Sequence, residues 1–80
     1  MMDLIQDILY QELHNKTQNP IQSRYVAYRL SDIEQVTSID EVRLIDADKR
    51  QYLVKTNKGS YKIELCDIDI PNTKIQYLID

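Results

Sequence analysis

Glycine is almost missing from this sequence: Gly59 is the only one. Phosphate-cradling and dinucleotide-binding loops need several, so nucleotide chemistry of that kind is excluded. Cysteine is equally scarce. With Cys66 alone there is neither a disulfide framework nor a cysteine-based zinc site. His14 is the single histidine, so no histidine metal cluster exists, and nothing in the sequence orients it as a general base. Tryptophan and phenylalanine are absent, which leaves six tyrosines as the only aromatic side chains. No apolar run is long enough to span a bilayer and no signal peptide is visible, so a cytoplasmic location is the expectation.

What is present is a chain of 80 residues, which argues for one domain over 1–80 with a small core that association would help to stabilise. The net charge is −3 with acids and bases interleaved, so no broad field of one sign draws nucleic acid. Richness in Ile, Asn, Lys and Tyr beside so little glycine suggests an AT-rich genome, that of a low-GC bacterium or its phage.

The most organised stretch runs from Glu41 to Leu65, EVRLIDADKRQYLVKTNKGSYKIEL. Side chains alternate along a strand, so period-two patterns at Val42/Leu44, Tyr52/Val54 and Tyr61/Ile63/Leu65 mark three strands with one shared apolar face. Glu41, Arg43, Ile45, Leu53, Lys55, Lys62 and Glu64 fall on the other. A tight turn around Ala47-Asp48-Lys49 sets Asp46 near Arg50, Leu44 near Tyr52 and Val42 near Val54. A glycine-bearing turn at Asn57-Lys58-Gly59-Ser60 sets Thr56 opposite Tyr61, Val54 opposite Ile63 and Tyr52 opposite Leu65. A slip of one residue would bring charges to the apolar face.

A sheet with one apolar face needs a cover. Asp3 and Gln6 have capping-box spacing, and Leu4, Ile5, Ile8, Leu9 and Leu13 form a helical stripe, with Asn15 as its left-handed terminator and Pro20 beyond. Ile21–Leu30 is rich in aromatic and branched residues and reads as a strand. Ile33–Asp40 reads as the start of a long bent strand, on the parity of Val36, Val42 and Leu44, or as a short helix; the strand is favoured. Cys66–Pro71 reads as a turn and then an edge, Asn72-Thr73 as a turn, and Lys74–Ile79 as a closing strand. The expected fold is α+β: an N-terminal amphipathic helix packed on a strongly bent antiparallel sheet of four or five strands, or a small barrel.

Residues with catalytic potential lack partners. Asp46/Asp48 and Asp67/Asp69 supply too few oxygens for calcium or magnesium. No serine lies in a nucleophile elbow, and Cys66 has no neighbour that would activate a thiolate. No cofactor, metal or catalytic residue is expected. Two surfaces remain. On the outer sheet face, Ile45 and Leu53 lie among Arg43, Lys55, Lys62 and Glu64, an apolar centre with a charged rim of the kind partners bury. Alternatively, Tyr25 and Tyr28 between Arg24 and Arg29 have a spacing suited to stacking on bases of a single strand.

The chain resembles the YolD-like proteins of Gram-positive bacteria and their mobile elements, which have a small Sm-like or SH3-like barrel. The matching residues are the helix Leu4 to Leu13, Tyr25-Val26-Ala27-Tyr28, Ile33-Glu34-Gln35-Val36, Ile45-Asp46 with Arg50, and Lys62-Ile63-Glu64-Leu65 before Asp67-Ile68. It departs from that pattern where Ser31-Asp32 and Thr37-Ser38 replace glycines. The resemblance implies an accessory role near DNA-damage operons and brings no active site with it.

The sequence therefore points to a non-catalytic accessory or regulatory module that binds a protein partner or a second copy of itself, one version being a phage inhibitor of a host system. A small barrel that binds single-stranded nucleic acid is the alternative. Leu53 and the edge strands are the expected association surfaces.

Overall fold

The computed structural model describes residues 4–66 and 70–78. Two helices precede a four-stranded antiparallel meander: α1 (Leu4–Thr17), α2 (Pro20–Tyr28) running into a π-helical turn (Arg29–Ile33), then β1 (Ile39–Asp46), β2 (Gln51–Thr56), β3 (Gly59–Glu64), a 3₁₀ turn (Ile70–Asn72) and β4 (Lys74–Leu78). The strand order is β1-β2-β3-β4 and the sheet is open, so the fold is α+β with its N-terminal helix on the sheet, and the strands do not close into a barrel.

The strand expected over Ile21–Leu30 is helical. Asn19 is its N-cap, its Oδ1 accepting from Gln22 N at 3.0 Å, and Pro20 opens the first turn with φ already set. The buried residues Gln22, Ser23, Val26, Ala27 and Leu30 recur at helical spacing. Two of them are polar, which disguises the period. Thr17 and Ser23 share a 2.7 Å hydrogen bond, and the Gln22 amide donates to the Cys66 carbonyl while its oxygen accepts from Thr73 Oγ1 at 2.6 Å. Buried polar atoms are tolerated because they are paired in this way.

Ile33–Asp40 is not the start of a long strand. Ile33 ends the π turn, Gln35 takes a left-handed φ of 60°, and Val36 N bonds back to Leu30 O at 2.8 Å. Val36 is buried through that reversal, and strand geometry begins only at Ile39. On α1, Leu9 and Leu13 reach the core, whereas Leu4, Ile5 and Ile8 are 74%, 40% and 55% exposed. The apolar residues of α1 thus cover more than the arc the sheet can bury. Gln18, at φ 57°, ends the helix in place of Asn15, which lies within it.

The face assignment of the meander holds. Val42, Val54, Tyr61, Ile63 and Leu65 are buried against Leu9, Leu13, Val26, Ala27, Leu30 and Val36, with Tyr52, Ile39 and Ile75 packed at the margin. Leu44, on the same parity, is half exposed at the edge. Val42 pairs with Val54 and Leu44 with Tyr52, but Asp46 faces Gln51 because the turn takes in Arg50 at φ 56° and Ile45 bulges out of the ladder. In the second hairpin Thr56 faces Gly59, Val54 faces Tyr61 and Tyr52 faces Ile63. This differs from the expected register by two residues, which preserves every face. A gap of about 10 Å³ between helices and sheet has room for no more than about one water.

The second hairpin tip is fixed from three sides. Asn57 Oδ1 accepts from Thr37 N (2.9 Å) and Ser38 N (3.2 Å), Thr56 Oγ1 donates to Gly59 O (2.7 Å), and Tyr77 Oη donates to Lys58 O (3.0 Å). Gly59 carries the positive φ, 122°, and a Cβ there would lie 2.7 Å from Tyr77 Oη. Gly59→Val should therefore destabilise the domain by roughly 1–3 kcal/mol, from backbone strain and displacement of the Tyr77 ring. A chemical denaturation curve matching that of the unsubstituted protein would contradict this account of the turn.

Candidate partner-binding face of the sheet

The face of the sheet turned away from the helices is built by register. Three rows of side chains cross it. Arg43, Leu53, Lys62 and Gln76 form the middle row, Glu41, Lys55, Ser60 and Leu78 one flank, and Gln51, Glu64 and Lys74 the other. Neighbouring positions on adjacent strands lie about 5 Å apart, so each row is a contiguous strip.

The flanking carboxylates are already matched. Glu41 lies 3.5 Å from Lys55 Nζ, and Glu64 lies 3.6 Å from Lys74 Nζ. Glu64 Oε1 also accepts from Gln51 Nε2 at 2.7 Å. That hydrogen bond, helped by Lys74 and Lys62, holds the Glu64 carboxyl below the usual carboxylate range. In the middle row neither Arg43 nor Lys62 forms an ion pair among the described residues, and the partly buried Leu53 sits between them. The face thus presents Arg43, Lys55, Lys62 and Lys74 against two satisfied carboxylates, in a chain whose overall charge is negative. A shallow polar depression of about 230 Å³ lies between Gln51, Lys62, Glu64, Lys74 and Gln76.

The structure therefore brings Arg43, Leu53, Lys55, Lys62 and Glu64 together on one open surface. Ile45 is exposed as expected, but it is the bulge residue at the end of β1 and belongs to none of the rows. Gln51, Lys74 and Gln76 complete the face. They are readable from the alternation of β2 and β4, where Lys74 and Gln76 take the parity opposite to Ile75.

Arg24, Tyr25, Tyr28 and Arg29 lie on or beside α2 instead of on a strand. Arg24 Nη1 is 2.8 Å from Asp7 Oδ1, and its guanidinium lies 4.0 Å from the centroid of the Tyr10 ring. Arg29 Nη1 donates to Tyr25 Oη at 3.0 Å. Arg24 is thereby tied across to α1 and Arg29 to its neighbour Tyr25, while Arg24 and Tyr28 are the exposed members of the set. His14 stacks on Tyr10 with centroids 5.5 Å apart. Among the described residues, no group of three or more His, Cys, Asp or Glu side chains is placed to hold a metal ion. Asp46 Oδ1 accepts from Lys49 N at 3.0 Å and stabilises its turn, while Asp67 and Asp69 lie outside the described residues.

Compared with models of protein families, with curated proteins and with solved structures, the chain matches none. The fold itself defines a small α+β domain in which a helical hairpin covers one face of an antiparallel meander. No helix among the described residues is long and apolar enough to cross a membrane.

One buried ionisable group offers a spectroscopic check on the architecture. Tyr61 is 2% exposed and donates to Glu34 Oε1 at 3.3 Å. Burial, followed by the neighbouring Glu34 charge, pushes its pKa up to about 12 from 10.0. The neutral form is favoured in the fold, so this contribution to stability is complete below pH 10 and is lost as the pH rises toward 12. Ultraviolet titration should show one tyrosine ionising late, and Tyr61→Phe should remove that component. Its persistence in the variant would show that another tyrosine is the buried one.

Proposed function

We propose that this chain is a non-catalytic protein-binding module whose contact surface is the outer face of the meander. It would serve as an accessory or regulatory factor in a low-GC bacterium or its phage, an inhibitor of a host system being one form. The observation that carries this reading is the middle row of that face. Leu53 lies between two cations without ion pairs among the described residues, and no other element described covers them. An apolar centre flanked by arginine and lysine, with satisfied charges at the rim, suits a partner surface that offers apolar and acidic groups. The resemblance to YolD-like proteins supports an accessory role but does not specify a partner.

The test is affinity capture from a bacterial lysate, with and without nuclease, using the unsubstituted protein beside Leu53→Lys. Leu53 lies outside the core, so the substitution should cost about 1 kcal/mol or less of stability while abolishing capture of a protein that nuclease leaves in place. Capture that nuclease removes would favour single-stranded nucleic acid as the ligand. A Leu53→Lys variant that retains its partner would place the contact elsewhere.

A further inference from the structure

We propose that β1 is the seam of a homodimer in which two sheets join edge to edge, antiparallel, about a two-fold axis through Val42. This goes beyond the partner-binding reading, since it concerns the β1 edge of the sheet and draws on the open face only through Arg43 and Glu41, and each can fail without the other.

The strand order leaves β1 at an edge, and an edge strand presents a row of backbone groups that the sheet itself does not use. β1 is also the longest strand among the described residues. Its sequence complements itself in one register. With Val42 opposite Val42 of the second copy, Arg43 of each copy faces Glu41 of the other, twice, on the outer face. Arg43 is exposed and has no ion pair of its own among the described residues. Centring the axis one residue earlier sets Glu41 against itself, and one residue later sets Arg43 against itself, both like-charge contacts. Charge thus selects the register.

A second observation lies at the same edge. The bulges at Asp40 and Ile45 bracket the regular ladder and confine strand pairing to a short run. A stable interface needs roughly 800 Å² from each partner, more than so short a ladder supplies. The remainder is available in α1, which packs directly on β1. Its Leu4, Ile5 and Ile8, together with Leu44 and Ile45 of β1, make up five of the nine large apolar side chains left exposed among the described residues. An axis perpendicular to the sheet keeps both α1 helices on one side and brings them toward each other. The joined sheet has eight strands and a continuous outer face.

Sedimentation of the purified protein over a wide concentration range tests this, with Arg43→Glu and the double reversal Glu41→Arg/Arg43→Glu alongside. The unsubstituted chain should dimerise. Arg43→Glu creates two like-charge contacts and should raise the dissociation constant about tenfold or more, whereas the double reversal restores complementarity and should return it to within about threefold of the original. Circular dichroism checks folding, and Arg43→Gln carries the same test with a smaller loss should the reversal not fold. A monomer at every concentration, a dimer indifferent to Arg43→Glu, or a double reversal that recovers nothing would each overturn the seam.

Discussion

The alternation of side chains along β2 and β3 is the constraint on which everything else here depends. Val54, Tyr61 and Ile63 are almost completely withdrawn from solvent on one side, while Leu53, Lys55 and Lys62 stand on the other. A sheet of this kind cannot stand in water by itself; its apolar face demands a layer. The helical hairpin supplies that layer, and the open face follows from the same parity.

The hairpin is tied down by polar groups as well as by packing. Gln22, inside the helix–sheet layer, bonds to the Cys66 carbonyl and to Thr73, joining α2 to both flanks of the β3–β4 connection. Asn57 plays a similar part at the opposite end, joining the hairpin tip to the segment before β1. Gln22 satisfies groups that would otherwise be costly to bury, whereas Asn57 holds two backbone amides of an exposed segment. The lid is thereby held in one position over the sheet, and the outer face keeps one arrangement of charge.

The meander is legible in the sequence because period two is a strong signal and parity survives errors in turn length. The second hairpin is two residues tighter than its turn residues suggest, yet every side chain keeps its face. α2 is illegible for a different reason. Its aromatic and branched residues favour strands in isolation, and its buried face includes Gln22 and Ser23, which a hydrophobic pattern passes over. The signals for helix are Asn19 and Pro20, a cap followed by a first-turn proline, which suit the end of the preceding helix equally well. The stripe on α1 is visible, but sequence cannot show that Leu4, Ile5 and Ile8 lie beyond the reach of the sheet. Of the outer-face residues, those on β1–β3 follow from parity, except Ile45, which the bulge takes out of the rows. The pairing of Arg24 and Arg29 within the helices can be seen only in three dimensions.

The central claim is that adjacent residues of β2 face opposite environments, one sealed and one available to a partner. It is tested most directly by thiol labelling of Val54→Cys and Lys55→Cys, each in a Cys66→Ser background, under native conditions. The thiol introduced at position 55 should react at nearly the rate of a free thiol, and the one at position 54 only as fast as the domain unfolds. Comparable rates at the two positions, or protection at position 55 beside reactivity at position 54, would contradict the account.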